Sequence, residues 1–481
     1  MSRPAVRPHP PDPHSTRTTT ENHVRTSHPS TSRDREKFPM KNARPALVGG
    51  SAAALALLLA ACGGGGVGDQ PADGKEVAQA ADVSECSPDG MTINVAYNSL
   101  ATEPMEVATE AMESRYPGLS VEGTPAASTA YEELTQQIVA DIAVGNRPDV
   151  IMTGLGQMQF WVDTYNPVPF DTDSLPATYQ TQFLGAGTVK DGTTYVAPAQ
   201  ISAPVMAVNQ TLLDEAGAGQ AEDITTYDDL LEVAQQVTDH TGQPSVSIAP
   251  SGLPEWFTQG LLQASGATLA NDDGTAAFGD AAGIAALDVW SQLGQRGLEA
   301  GVADSTQAVD QFNTGTLPIA MITTSTIVGI EQGLADGIEW MPIKLPSVDG
   351  NTDRALPAGG NGYMVLSEDP CRAAYSQELI GELFTPEAVM KASGTKRSYI
   401  PVDTEARDEL LASDAATPQM EFAWTFDNEL SQWGEGFPGG PANQIYDQIE
   451  VMGQRLQTGE PTEDVVSETV VQIDRIVEGN R

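Results

Sequence analysis

The spacing of apolar residues predicts a regular mixture of strands and helices from residue 91 onward. Residues 91–97 alternate between apolar and polar positions with the period of a strand, and residues 131–144 repeat apolar positions at helical spacing. The segments 103–116, 119–122 and 149–152 complete an order of strand, helix, strand, helix and strand. This order is typical of an α/β layered fold with a parallel sheet.

The mixed pattern continues to the C-terminus. Further strands are predicted at 194–196, 204–209, 317–322, 338–343 and 362–367, and further helices at 211–216, 226–238, 256–265, 281–294, 373–383 and 465–477. A chain of 481 residues provides enough material for two or three domains.

Residues 40–62 have the pattern of a bacterial secretion signal. Lys41 and Arg44 precede an apolar run over 46–61, which is shorter than the roughly 20 residues that a bilayer-spanning helix needs. The run ends in the sequence LAAC, which resembles a bacterial lipobox, and four glycines follow it as a flexible tether. We therefore predict a signal peptide over 40–61 and a lipid-bearing Cys62, in which the thiol receives diacylglycerol after cleavage.

Residues 1–39 are rich in Pro, Ser, Thr, Arg and His and lack apolar periodicity. Because a signal peptide normally begins its protein, we expect translation to start at Met40 and residues 1–39 to be a non-structural extension. An unusually long signal n-region is the alternative, and the mature N-terminus is Cys62 in both cases. Residues 62–88 are predicted to be the lipidated cysteine and a flexible tether.

The negative charge of the chain argues against nucleic acid and anionic membrane surfaces as partners. Lys and Arg number 24 against 66 Asp and Glu, a formal net charge of −42. Nucleic-acid binding needs cationic groups against phosphates, and an anionic membrane surface would repel the chain. We therefore expect contact with the membrane through the lipid anchor only, and we interpret the dispersed acidic residues as a solvated surface.

Cys86 and Cys371 remain once Cys62 carries the lipid. In an exported protein such a pair is expected to form a disulfide, worth roughly 4–5 kcal/mol in the chain-entropy model because the loop is long. Two buried free thiols are the alternative. The chain has no CxxC motif, so redox catalysis is not expected.

Six segments in order resemble the family 1 extracellular solute-binding proteins of ABC importers, the maltose-binding-like group. They are YEEL at 131–134 leading to GNRPDV at 145–150, DGTTYVAP at 191–198, NQTLLDEAG at 209–217, TTYDDL at 225–230, FNTG at 312–315 and GGNG at 359–362. The resemblance covers about residues 91–481. GNRPDV is its most specific motif.

The resemblance implies a type II periplasmic-binding-protein fold, with two α/β lobes joined by a hinge and a ligand cleft between them. Lobe 1 would comprise 89–200 plus 345–395, and lobe 2 would comprise 201–344 plus 396–481. The chain would cross between the lobes near 200–204, 343–347 and 393–401. A bound solute would bridge the lobes of a monomer and favour the closed form, which membrane permease subunits would recognise.

Sugars are held by aromatic faces against their C–H groups and by polar groups against their hydroxyls. Trp256 lies in a segment similar to the one where the maltose-binding group carries a sugar-stacking aromatic. Other candidate ligand contacts follow predicted strands or crossovers: Asn98, Ser99, Thr153, Gly154, Gln157, Gln200, Ser202, Thr324, Ser325, Gly360, Asn361, Tyr363 and Phe437. Thr153 stands where the maltose binders have a tryptophan, which argues against maltose itself. The sequence does not decide whether the segment 421–443, which contains Trp433, forms a wall of the cleft.

The sequence predicts a lipid-anchored receptor on the extracytoplasmic face of the bacterial cell membrane. It would deliver a sugar or oligosaccharide to an ABC permease and would need no cofactor or metal. An enzyme is not expected, because His240 is the only histidine beyond residue 61 and no HExxH, P-loop or multi-cysteine motif is present.

Three alternatives stay open. The same fold could bind a non-sugar solute such as glycerol phosphate or a polyamine. Ferric cargo would need clustered tyrosines, and no adjacent pair exists in the sequence, while a phosphate would need a cation in the cleft, for which only Arg354 lies near a candidate loop. A surface enzyme or a structural wall lipoprotein are the remaining classes.

Overall fold

The computed structural model describes residues 79–394, 397–414 and 416–480. The predictions for the extension 1–39, the signal peptide 40–61, Cys62 and most of the tether lie outside these residues. Within the described ranges, no helix combines the length and the apolar composition that a membrane span requires.

The secondary structure alternates between strands and helices along most of the described chain. The strands are β1 (Thr92–Ala96), β2 (Ser120–Gly123), β3 (Val150–Gly154), β4 (Ala197–Ser202), β5 (Pro204–Asn209), β6 (Val246–Ser247), β7 (Ile319–Thr323), β8 (Trp340–Lys344), β9 (Leu356–Pro357), β10 (Gly359–Val365) and β11 (Leu430–Ser431). The helices are α1 (Thr102–Arg115), α2 (Tyr131–Ala143), α3 (Met158–Tyr165), α4 (Gln210–Ala216), α5 (Tyr227–Thr241), α6 (Pro254–Ala264), α7 (Ala281–Gln295), α8 (Ser305–Asn313), α9 (Ile327–Gly333), α10 (Pro370–Glu382), α11 (Pro386–Ser393), α12 (Thr404–Leu411), α13 (Pro418–Trp424), α14 (Ala442–Gln457) and α15 (Thr462–Gly479).

Lobe 1 is built on a sheet with the strand order β2-β1-β3-β10-β4. β1 pairs in parallel with β2 and β3, which confirms the parallel arrangement predicted for the first three strands. β10 runs antiparallel to both β3 and β4, so a late segment of the chain is inserted into the sheet formed by early ones. Helices α1, α10 and α11 pack together against this sheet.

Lobe 2 is built on a second sheet with the order β6-β7-β5-β8. β5 runs antiparallel to β7 and β8, and β6 runs parallel to β7. Helices α6, α7, α14 and α15 contact one another on this lobe. The two sheets and their helices form the two-lobe α/β fold that the sequence predicts.

The chain passes from lobe 1 to lobe 2 at Ala203, since β4 ends at Ser202 and β5 begins at Pro204. It returns between β8 and β10. The third passage lies later than the sequence predicts. Residues assigned to lobe 2 from position 396 onward still bond to lobe 1: the N–H of Ile400 donates to the carbonyl of Ile201 at 2.9 Å, and the carbonyl of Val402 accepts from Gln180 at 2.7 Å. The chain leaves lobe 1 only after α12.

The structure differs from the prediction in the position of one strand and in three short helices. A strand is expected at 194–196, but there the structure has only a single bridge between Thr194 and Thr188. The strand lies directly after this segment and is β4. β4 is buried along its whole length, so it carries no alternating pattern, and it contains Pro198. The short helices α3, α8 and α9 were not predicted, since seven to nine residues give little periodic signal.

The GNRPDV motif ties three parts of lobe 1 together. The Asp149 carboxylate is buried and accepts hydrogen bonds from the backbone N–H of Asn94 at 2.9 Å and from the Ser367 hydroxyl at 2.7 Å. Arg372 pairs with it at 3.2 Å. Arg147 donates to the carbonyl of Leu366 at 2.6 Å. Because a buried charge must be paired and hydrogen bonded, these contacts fix the order of the strands around β3.

Candidate ligand site between the lobes

A cavity of about 390 Å³ lies between the two lobes. Its lining comes from lobe 1, lobe 2, the connecting strands and the C-terminal part of the chain: Leu100, Thr129, Ala130, Tyr131, Glu132, Ser202, Gly252, Leu253, Trp256, Thr306, Thr323, Ser325, Gly359, Gly360, Arg397, Tyr399 and Trp433. A groove of about 980 Å³ runs along the edge strand β8. The interlobe cavity is the better candidate site, because a solute held there can contact residues of both lobes.

Trp256 forms one wall of the cavity. It lies in the first turn of α6, where Pro254 begins the helix with a favourable fixed φ. Its side chain is 1% exposed, and its indole edge lies over Gly359, where an added Cβ atom would sit 2.8 Å from Cζ2 of the indole. Glycine at position 359 therefore leaves the space that Trp256 occupies.

Trp433 extends this wall toward lobe 1. Its ring centroid lies 5.8 Å from that of Trp256, with the two planes tilted by 42°. On its other side it contacts Gly156, in the loop after β3, where an added Cβ atom would lie 3.0 Å from Cδ2 of the indole. The two indoles make a continuous aromatic surface that reaches both lobes.

Two tyrosine hydroxyls meet on the lobe 1 side of the cavity. Tyr131 and Tyr399 approach each other with 3.4 Å between their hydroxyl oxygens. The amide of Asn361 donates to the Tyr131 hydroxyl and to Oε1 of Gln200, both at 2.9 Å. Burial raises the pKa of both phenols, and the positive charge of Arg397 opposes this rise. The phenols stay protonated at neutral pH and can donate or accept hydrogen bonds.

Carboxylates lie near the aromatic wall. Glu132, on α2 of lobe 1, accepts a hydrogen bond from Nε2 of Gln157 at 2.9 Å. Burial, together with the negative charges of Glu132 and Glu450, raises the pKa of Glu255 to about 7, while the indole of Trp433 acts in the opposite direction. Glu255 precedes Trp256 in α6, so the wall of the cavity lies beside a carboxyl group that is half-protonated near neutral pH.

Four of the residues selected from the sequence line the cavity, namely Ser202, Trp256, Ser325 and Gly360. Gln200 and Asn361 do not line it, but they lie directly behind Tyr131 through the hydrogen bonds described above. Gln157 supports Glu132 from outside the lining.

The remaining candidates do not reach the cavity, and each has a structural reason. Asn98 is buried and caps the turn after β1 by accepting the N–H of Leu100 at 3.0 Å, and Ser99 lies in that turn. Thr153 donates to the carbonyl of Gly154 within β3 at 3.1 Å. Thr324 accepts the N–H of Ala203 at 3.1 Å, at the first passage between the lobes.

The other three candidate residues are held by packing inside the protein. Gly154 lies under the ring of Tyr131, where an added Cβ atom would be 2.7 Å from Cβ of the tyrosine. Tyr363 is 2% exposed and makes an edge contact with Phe384. Phe437 is 3% exposed and belongs to the core. We therefore do not expect these residues to touch a ligand.

The sequence does not predict Tyr131, Glu132, Arg397 or Tyr399 as site residues, although all four line the cavity. In the sequence, Tyr131 and Glu132 belong to a predicted helix and to the YEEL motif, neither of which indicates a ligand contact, and a tyrosine pair separated by 268 positions has no signature. Arg354, the cation that the sequence placed nearest a candidate loop, instead pairs with Asp349 at 2.6 Å and does not line the cavity. Among the described residues, no group of three or more His, Cys, Asp or Glu is arranged to hold a metal ion.

The chain belongs to the family of bacterial extracellular solute-binding proteins, whose sequence profile matches residues 108–421. Comparison with curated proteins gives no match.

Several solved structures share the fold. The sugar-binding protein MalE from Xanthomonas citri has 18% identity and a TM-score of 0.68, with 81% of this chain and 98% of that chain covered. The cyclic α-maltosyl-1,6-maltose binding protein from Arthrobacter globiformis has 17% identity and a TM-score of 0.66, with 82% and 100% covered. UgpB from Mycobacterium tuberculosis, in complex with glycerophosphocholine, has 19% identity and a TM-score of 0.64, with 81% and 98% covered. These likenesses confirm the fold.

The raised pKa of Glu255 predicts a pH-dependent stability. Its pKa is about 7 in the folded chain and about 4.3 for an ordinary glutamate. The unfolded chain therefore loses this proton at lower pH, so the folded state loses stability as the pH rises from about 4.3 through 7. We expect the melting temperature to fall more steeply between pH 5 and pH 8 in the wild type than in Glu255→Gln. The exposed Glu405→Gln serves as control, and parallel curves for wild type and Glu255→Gln would contradict the prediction.

Proposed function

We propose that the chain is the extracytoplasmic receptor of an ABC importer and that it captures a sugar or a short oligosaccharide in the interlobe cavity. The observation that carries this proposal is the aromatic surface of Trp256 and Trp433, which borders a cavity with hydroxyl and carboxylate groups on its other walls. Indole faces suit the C–H faces of a sugar ring, and hydroxyl and carboxylate groups suit its hydroxyls. The cavity volume of about 390 Å³ lies toward the lower end of the range for small-molecule sites, which favours a ligand of one or two rings.

Both lobes contribute to this cavity, with Tyr131 and Glu132 on lobe 1 and Trp256 and Ser325 on lobe 2. A solute that contacts both sides gains interactions only when the lobes are together, so it favours the closed form. We propose that permease subunits recognise that form and receive the solute from a monomeric receptor. We propose no catalytic role, since the family is one of binding proteins and His240 lies at the exposed end of α5.

A second candidate is a solute that carries a phosphate. In the sequence only Arg354 lies near a candidate loop, but in the structure Arg397 lines the cavity beside the hydroxyls of Tyr131 and Tyr399. A guanidinium and a hydroxyl donor suit phosphate oxygens, and one of the two phenols already uses its proton in the hydrogen bond between Tyr131 and Tyr399. A structure of the same fold, UgpB, contains glycerophosphocholine. A phosphate-bearing polyol therefore stands beside the sugar as a candidate.

We also propose that Cys62 carries a lipid, with residues 40–61 removed as a signal peptide, and that Cys86 and Cys371 form a disulfide. The Cα atoms of these two residues lie 5.5 Å apart. Two hydrogen bonds support the contact: the N–H of Ala81 donates to the carbonyl of Pro370, and the Tyr375 hydroxyl donates to the carbonyl of Cys86, both at 2.9 Å. The anchored end of the chain would thus be fastened to α10 of lobe 1.

Ligand-dependent stabilisation tests the receptor function. The melting temperature is measured with maltose, maltotriose, trehalose, glycerol 3-phosphate, glycerophosphocholine and spermidine. A ligand at 100 times its dissociation constant adds about 2.7 kcal/mol to the stability. We expect one of the sugars to raise the melting temperature of the wild type and to lose this effect in Trp256→Ala.

The control is Phe257→Leu, which alters a fully buried neighbour outside the cavity lining and should keep the response. A response to the two phosphate compounds that is lost in Arg397→Gln, with no response to sugars, would favour the second candidate. No response to any of the six compounds would contradict both.

Metabolic labelling with palmitate tests the anchor. We expect the wild type to carry label and to sediment with membranes, because a diacylated N-terminus has enough buried CH₂ groups for stable anchoring. In Cys62→Ser both label and sedimentation should be lost. Label that persists in Cys62→Ser would exclude this cysteine as the lipid site.

Thiol counting tests the disulfide. Protein isolated from the extracytoplasmic side and denatured without reductant should show no reactive thiol at positions 86 and 371, and Cys371→Ser should expose one. The disulfide closes a loop of 285 residues, so its removal should lower the free energy of unfolding by up to roughly 4–5 kcal/mol. Two reactive thiols in the wild type would show instead that the cysteines are free.

A further inference from the structure

The segment 425–441 joins α13 to α14, and we call it the cleft strap. It contacts both lobes. On lobe 1, the N–H of Gly439 donates to the carboxylate of Asp163 in α3 at 2.9 Å. On lobe 2, a Cβ atom at Gly436 would lie 2.9 Å from Cβ of Ala270. Trp433 is the strap residue that lines the cavity.

Gln259 holds the strap on both sides of Trp433. Its side chain lies on α6 and is fully buried. Its Nε2 donates to the carbonyl of Gln432 at 2.9 Å, and its Oε1 accepts the N–H of Gly434 at 2.8 Å. One amide side chain thereby satisfies a backbone acceptor and a backbone donor that have no strand partner.

These two bonds fix the backbone from which the Trp433 indole projects. The indole then has Trp256 of lobe 2 on one side and Gly156 of lobe 1 on the other. A wall that is ordered before the ligand arrives avoids the entropic cost of ordering that side chain on binding. Gln259 does not line the cavity and would act only through Trp433.

We propose that Gln259 is a positioning residue for ligand capture, which holds Trp433 as the wall shared by the two lobes. The part of this inference that concerns capture rests on the proposed function, whereas the placement of Trp433 does not. Gln263, one turn further along α6, provides a matched control. Its Nε2 contacts the same strap, at 3.0 Å from Oγ of Ser431 and 3.3 Å from the carboxylate of Glu435, but these partners are side chains two positions away from Trp433 and not the peptide groups next to it.

The test uses the protein labelled with 5-fluorotryptophan, whose ¹⁹F resonances report each indole separately. Trp433→Phe assigns the resonance of interest. We expect Gln259→Met to shift and broaden the Trp433 resonance in the ligand-free protein and to leave that of Trp290 unchanged. Gln263→Met should leave the Trp433 resonance in place. An unchanged Trp433 resonance in Gln259→Met, or the same change in Gln263→Met, would overturn the inference.

Gln259→Glu adds a readout that a general loss of packing would not give. The ionised carboxylate can accept from Gly434 but cannot donate to Gln432, whereas the protonated acid can do both. Acidification should therefore restore the Trp433 resonance in Gln259→Glu and should have no such effect in Gln259→Met. A Gln259→Glu spectrum that does not change with pH would also count against the inference.

The binding arm uses the same labelled proteins with maltose, trehalose and glycerophosphocholine as probes. For a probe that shifts the Trp433 resonance of the wild type, we expect the dissociation constant to rise at least tenfold in Gln259→Met and less than twofold in Gln263→Met. Equal affinities in Gln259→Met and wild type would remove the role in capture. If none of the probes perturbs any indole, the proposed function fails, while the ligand-free spectra still decide whether Gln259 positions Trp433.

Discussion

The close approach of β10 to its neighbours is the constraint on which the two-lobe arrangement depends. Cβ atoms at Gly360 and Gly362 would overlap the carbonyl oxygens of Gln200 and Ala197 on β4, and Gly360 has a φ of +99°, which side chains rarely adopt. Gly359 leaves the space for Trp256. The strand inserted between β3 and β4 thus also leaves room for Trp256, so the glycines of β10 shape both the sheet of lobe 1 and the wall of the cavity.

The sequence predicted those features of the fold that are encoded locally. The first strands and helices follow from periodicity, and the Thr226 and Asp229 side chains form the capping box that begins α5. The third passage was placed too early because Ile400 and Val402 are held by hydrogen bonds to lobe 1, and nothing in their own segment encodes those partners.

The candidate site was harder to predict than the fold, for a physical reason. Trp256 was selected because its segment resembles a known one, but the surface opposite it depends on residues that only the tertiary structure brings together. Tyr131 and Tyr399 are in contact although 268 positions separate them in the sequence. Arg397, which follows α11, acts on both phenols through its charge. Other candidates, such as Asn98 and Thr324, do follow strands, but their side chains satisfy backbone groups there and do not line the cavity.

The electrostatics of the cavity differ from those of the surface. The chain carries a net charge of −42, yet the cavity combines one arginine, two protonated phenols and a carboxylate. Glu255 is pushed toward its neutral form by burial and by Glu132 and Glu450. A solute that donates hydrogen bonds therefore meets an acceptor beside the aromatic wall, and one that accepts them meets Arg397. Recognition would depend on how donors and acceptors are distributed over the solute, not on its net charge alone.

The aromatic wall also bears on how binding and closure are connected. Trp433 belongs to a segment fastened to α6 of lobe 2, and it contacts Gly156 of lobe 1. A solute in the cavity that contacts this indole would therefore touch a residue that itself contacts both lobes. A ligand can shift an equilibrium only by its difference in affinity for the two states. A solute that contacts Trp433 together with residues of lobe 1 such as Tyr131 would gain all of these interactions only when the lobes are together, and this would supply such a difference.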